Sequence, residues 1–125
     1  MEIKSERTEL VNAKITGVSI SMSDHGCLTF RLTLEGNCWG VNYGGYCIGK
    51  GYLGADEFSA ENGSGLVAMM KIMDTIGVEK WEDLVGKYCR VQMKKWGESI
   101  TTIGNIMSDK WFNIESFFKE YEVKE

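Results

Sequence analysis

From Cys27 to Glu35 the chain alternates without a break. Leu28, Phe30, Leu32 and Leu34 share one parity, and Thr29, Arg31, Thr33 and Glu35 share the other. A period of two over so many residues specifies a strand with one buried and one wet face, as in antiparallel sheets. The preceding segment supplies its partner. Apolar residues alternate as Ala13 and Ile15, slip by one at Gly17 and resume as Val18, Ile20 and Met22, which predicts a strand over Val11 to Met22 with a glycine bulge. Ser23-Asp24-His25-Gly26 is a turn between them, so the two segments form a hairpin.

Gly36-Asn37 turns the chain into a third strand, Cys38 to Ile48, and Gly49 to Gly65 is irregular and glycine-rich, the pattern of a long surface loop. Leu66, Met69, Met70, Met73 and Ile76 fall at helical spacing, with Ser64 as N-cap and Gly77 as the stop; the methionine stripe reads as core packing. Trp81-Glu82-Asp83-Leu84 is a short helical turn whose carboxylates suit a helix start. Tyr88 to Met93 then alternates Cys89, Val91 and Met93 inward against Tyr88, Arg90 and Gln92 outward. Trp96-Gly97 makes a hairpin into a strand over Ser99 to Met107. Asn113 caps a terminal helix whose Ile114, Phe117, Phe118 and Tyr121 share one face, for docking on the sheet or on a second subunit. The expectation is a single α+β domain over residues 1–125: an antiparallel sheet of five to six strands, one main helix and a short C-terminal helix.

A chain of 125 residues buries roughly 65–70% of its unfolded surface, so it needs no staples. The four cysteines show no CxxC pair and no zinc-ligand spacing, and read as free, mostly buried thiols. The start, MEIKSERTEL, is charged where a signal peptide is apolar, and no run approaches ~18–20 apolar residues. The expected location is the cytoplasm, with no membrane partner. A net charge of −4 lacks the wide basic footprint of a duplex nucleic-acid binder. The densest basic group, Arg90 with Lys94 and Lys95, suits one or two phosphates or a solvated strand end.

Catalytic apparatus is sparse. His25 is the single histidine and sits in a turn that Asp24 and Gly26 favour by themselves. Glu82 and Asp83 are adjacent and point apart, a poor acid/base pair. The run Gly40-Val41-Asn42-Tyr43-Gly44-Gly45-Tyr46 lacks the Gly-Lys-Ser/Thr ending of a phosphate loop. These features predict a binding protein without enzymatic turnover and without a cofactor. The glycine run does offer bare backbone beside aromatic faces, so a planar ligand fits against Gly44 and Gly45 and stacks on Tyr43, Tyr46 or Trp39. A glycine-bulged strand whose aromatics pack across the sheet is the structural alternative.

Several segments together resemble a family of small proteins encoded in tailed-phage and prophage genomes. They are Asp24-His25-Gly26 leading into Leu28-Thr29, Tyr43-Gly44-Gly45-Tyr46, Gly77-Val78 through Trp81-Glu82-Asp83-Leu84 with Gly86-Lys87, Arg90-Val91, and Ile103-Gly104-Asn105-Ile106 with Asp109-Lys110-Trp111-Phe112. The family usually has Gly-Gln-Gly-Phe before the Gly-Gly-Tyr, where this chain has Gly40-Val41-Asn42-Tyr43. The family is similar in size and pattern to the phage anti-Thoeris sponges, oligomers that sequester a cyclic ADP-ribose signal made by bacterial TIR enzymes. The resemblance implies an anti-defence protein that traps a nucleotide messenger in pockets shared between subunits of a homo-oligomer. In that setting Tyr43, Tyr46 and Trp111 stack on adenine, Arg90 and Lys110 meet a pyrophosphate, and Asn105 or Asp24 hydrogen-bonds ribose or base edges, with His25 as a further ligand contact. Core anchoring is the structural alternative for Trp111 and Phe112. Two other functions stay open: a phage inhibitor that binds a host defence protein directly, as anti-CRISPR proteins do, and a small single-stranded nucleic-acid-binding module, against which the acidic balance counts.

Overall fold

The computed structural model describes residues 9–61, 63–93 and 100–124. Strands β1 (Glu9–Asp24) and β2 (Cys27–Gly36) form the predicted hairpin. Its turn places His25 and Gly26 in the left-handed region at φ 55° and 79°, the twist that matches tight hairpins. Pairing along β1 shifts between Ile15 and Gly17, so Thr16 is the extra residue of a bulge where the apolar alternation slips.

The chain continues through β3 (Trp39–Lys50), β4 (Ser59–Ala60), α1 (Ser64–Ile76), a 3₁₀ turn over Trp81–Leu84, β5 (Tyr88–Met93), β6 (Thr102–Asn105), β7 (Trp111–Asn113) and α2 (Ile114–Lys124). Among the described residues, one sheet holds seven strands in the order β4-β3-β2-β1-β5-β6-β7, with every pairing antiparallel. The fold class is therefore α+β as the patterning implies, but with more strands than five to six. β4 and β7 have two and three residues, too few to register as alternation. The expected loop from Gly49 to Gly65 is shorter for the same reason: Gly49 and Lys50 end β3 and pair with Ala60 and Ser59. The Trp96-Gly97 hairpin, Lys94 and Lys95 lie outside the described residues.

Two further details depart from the pattern. Ser64 is the first helical residue and is buried; the cap position belongs to Gly63, left-handed at φ 92°, with no side-chain cap. Thr29, expected on the wet face, is buried beside Phe30, because the β2–β3 pairing shifts on both sides of it and breaks the strict period. At the other end of α1 the reading holds: Gly77 is left-handed at φ 97° and donates its N–H to the Met73 carbonyl at 2.7 Å.

The sheet curls strongly. Tyr43 on β3 is separated from β7 by four strands, a lateral path of roughly 20 Å or more in a flat sheet. Its hydroxyl nevertheless donates to the Thr101 carbonyl at 3.0 Å and lies 3.3 Å from that of Phe112. The concave face thus wraps a core of Ala13, Ile15, Phe30, Leu32, Leu34, Cys89, Val91 and Ile103, closed by Ala68 and Ile72 of α1. Asn113 caps α2, its Oδ1 accepting from the Ser116 N–H at 2.9 Å. From there Phe118 stacks on Tyr46, with centroids 4.0 Å apart and planes 8° from parallel, and Phe117 meets Phe112 at 5.6 Å. The aromatic stripe of α2 is therefore spent on its own sheet.

Candidate functional site

Four of the residues singled out from sequence come together around the turn that joins β6 to β7. Arg90 lies on the convex face, opposite in parity to buried Cys89 and Val91, as its alternation implies. Its Nε donates to the Asn105 carbonyl at 2.8 Å and its Nη2 to the Ser108 carbonyl at 2.7 Å, while the guanidinium covers the Trp111 ring. Asn105 works inward. Its Nδ2 donates to the Thr75 and Ile76 carbonyls at 2.9 and 3.2 Å, satisfying the last turn of α1, and its Oδ1 accepts from the Met107 and Ser108 N–H groups. Lys110 bonds Asp74 through both backbone and carboxylate oxygens at 3.2 Å, and Trp111 Nε1 donates to Asp109 Oδ1 at 2.6 Å. This group is a network of satisfied partners. In this arrangement the arginine fork is aimed at the Asn105 and Ser108 carbonyls.

The glycine run is likewise occupied. Tyr43 is 1% exposed and has no face to offer a ligand; burial pushes its hydroxyl well above the usual phenol range. Tyr46 gives a ring face to Phe118. Gly44 and Gly45 take φ of 108° and 88°, and a Cβ on Gly44 would meet the Phe30 carbonyl, so these glycines serve a bulged strand pressed against β2. His25 is exposed in the hairpin turn, and the Asp24 side chain lies outside the described part. Asn12 pairs with Arg90, so the turn at Asp24 is twelve residues, or ~40 Å of strand, from the Arg90 network. Within one chain the ten residues are not brought together at one place.

A different cleft does form on the convex face. Lys14 on β1 has two direct cross-strand partners, Glu35 on β2 and Tyr88 on β5, because β1 lies between those strands. The Lys14 ammonium stands 5.7 Å from the Tyr88 ring centroid, and Glu35 accepts a hydrogen bond from the Thr16 hydroxyl at 3.2 Å. With Asn12, Ala13, Gly36 and Asn37 these residues line a cleft of about 390 Å³, within the range of small-molecule sites. Tyr88 is 56% exposed, a flat aromatic face at the wall.

The chain matches no protein-family model, no curated protein and no solved structure.

The function of the cleft must therefore be read from its chemistry. It offers one cation, one carboxylate, two amide side chains, a hydroxyl and a ring, with neither histidine nor cysteine in the lining. A second hollow, of about 500 Å³, is lined by Glu79, Glu82 and Asp83 with Lys87, a balance that repels anions. Sequence reasoning missed the convex cleft because its residues come from three segments that only the strand register aligns. The available signal was the outward parity of Tyr88 together with the bulge at Thr16, which turns that side chain toward Glu35.

Proposed function

We propose that this chain is a non-catalytic binding protein that holds a small nucleotide in the convex cleft, and that it acts as a phage anti-defence sponge for a messenger of the cyclic ADP-ribose type. The observation that carries the binding reading is the Glu35–Lys14–Tyr88 row, in which an exposed aromatic face, a cation and hydrogen-bonding groups converge on one concavity. A base that stacks on Tyr88 takes the place of the Lys14 ammonium over the ring and leaves that ammonium beside it for a negatively charged group. The messenger's identity and the phage setting rest on the family resemblance. Storage without cleavage is supported by a lining with neither histidine nor cysteine, in which the Thr16 hydroxyl meets only the weakly basic Glu35 carboxylate.

The test is retention and release. The protein is incubated with cyclic ADP-ribose, freed of unbound nucleotide and denatured. Intact cyclic ADP-ribose in the supernatant, lost in the Tyr88→Ala and Lys14→Ala variants, supports the proposal. Failure to retain it, or recovery of a hydrolysed product, rejects it.

A direct protein-binding inhibitor is the second reading, favoured by the loop between β3 and β4. Tyr52, Leu53 and Phe58 are exposed there, next to the exposed carboxylates Asp56 and Glu57. The same reading accommodates a homo-oligomer, with Leu66 and Met70 exposed on α1. Light scattering across micromolar concentrations separates an oligomer from the 14.1 kDa monomer.

A further inference from the structure

Lys14 and Glu35 stand directly opposite each other on neighbouring strands, the arrangement in which a cross-strand ion pair is expected. They lean apart instead. The ammonium sits over the Tyr88 ring, toward β5, and the carboxylate turns to the Thr16 hydroxyl that the β1 bulge presents. Opposite charges thus flank the cleft without neutralising each other, and both belong to its lining. A closed ion pair would present one neutralised point; a divided one leaves two distinct recognition points.

We infer that the cleft is divided by charge: it takes a ring-bearing ligand with one phosphate directed at Lys14 and hydroxyl donors directed at Glu35, a pattern that a bridged diphosphate nucleotide with free ribose hydroxyls also presents. The inference rests on the cleft being the nucleotide site and assigns its two ends. A carboxylate accepts from a vicinal diol but repels phosphate, and one lysine matches one phosphate. Additional phosphates would extend past Lys14 toward the carboxylate or into solvent, where they gain little. Asn12 and Asn37, at the same rim, supply amide donors and acceptors of either sense.

Binding of adenosine 5′-monophosphate, adenosine, 2′,3′-dideoxyadenosine 5′-monophosphate and ATP is measured by NMR titration on the full chain and on Lys14→Met, Glu35→Ala and Tyr88→Ala, each checked for an unchanged melting profile. In the unaltered protein the monophosphate should bind roughly tenfold or more tighter than either adenosine or the dideoxy analogue, the typical worth of one charge-assisted hydrogen-bonding group. ATP should bind no tighter than the monophosphate. Lys14→Met should erase the phosphate preference and keep the diol preference, and Glu35→Ala should do the reverse. If both preferences survive in both variants, or ATP binds distinctly tighter, the divided-charge assignment is overturned. The cleft reading still stands in that case, provided Tyr88→Ala abolishes binding. If Tyr88→Ala leaves monophosphate affinity unchanged, or no probe binds at millimolar concentration, both are overturned.

Discussion

The guanidinium carbon of Arg90 lies 4.6 Å from the centroid of the Trp111 ring, and that ring in turn lies flat over Gly104. Register explains the stack, since Arg90 pairs with Gly104 and Gly104 with Trp111 on the same face of three adjacent strands. With its Nε and Nη2 bound to the Asn105 and Ser108 carbonyls, the arginine fastens the turn between β6 and β7 to β5.

Replacing Arg90 by lysine should therefore cost stability although charge is kept. An ammonium on a flexible stem cannot reproduce a planar fork on two carbonyls and a stacked ring. A loss of about 1–2 kcal/mol, read as a lower urea midpoint at constant slope, is expected. An unchanged midpoint would show that the fork contributes nothing to the fold.

Asn105 gives a sharper contrast. Asn105→Asp preserves shape and the two bonds accepted by Oδ1, but it removes the donors to the Thr75 and Ile76 carbonyls and places negative charge at the C-terminus of α1. The aspartate variant should lose about 2–3 kcal/mol, as much as Asn105→Ala or more. Near-native stability of the aspartate variant would mean that the inward bonds are dispensable.

The two halves of this network differ in how far the sequence announces them. The alternation of Tyr88 to Met93 places Arg90 outward, and the slip at Gly17 marks the β1 bulge, because both are local consequences of side-chain period. The helical spacing ending at Gly77 and the Asn113 cap are local in the same sense. What Arg90 and Asn105 touch is set by register between segments separated by 15 to 30 residues, which no local pattern encodes. Tyr43 illustrates the harder case. Its glycine neighbours suggest an open platform, yet the curl of the sheet brings it inside, and curl is a property of all seven strands together. The convex cleft was hidden in the same way, since Lys14, Glu35 and Tyr88 are adjacent only after β5 has paired with β1.

Alkaline pH should destabilise the protein in two stages. Burial pushes the Cys89 thiol up to about 11 and the Tyr43 hydroxyl higher still. In the unfolded chain the thiol ionises near ~8.5–9 and the phenol near ~10, so above those values the unfolded state binds fewer protons and stability falls as pH rises. The Cys89 contribution declines from about pH 9 to about 11, and that of Tyr43 begins near ~10, each at no more than about 1.4 kcal/mol per pH unit. Urea titrations at pH 7, 9 and 10.5 check this. Cys89→Ala should flatten the first stage and Tyr43→Phe the second, and equal pH profiles for all three proteins would sink the assignment.

Gly104 sits in β6 where a Cβ would run into the Trp111 ring, without needing a left-handed backbone, so the demand for glycine there is steric. Gly104→Ala must push the indole outward, and with it the Arg90 guanidinium that rests on it and the Trp111 Nε1 bond to Asp109. Overpacking of this kind costs about 1–3 kcal/mol. In a Trp111→Ala background the obstacle is gone, and the same substitution should be neutral or stabilising by up to about 1 kcal/mol, since alanine restricts the unfolded chain more than glycine does. The two substitutions should therefore couple by more than about 1 kcal/mol in a double-mutant cycle measured by urea unfolding. Simple additivity would mean that the ring does not rest on Gly104 in solution, and the Arg90 fork would then have to hold the β6–β7 turn without the stack beneath it.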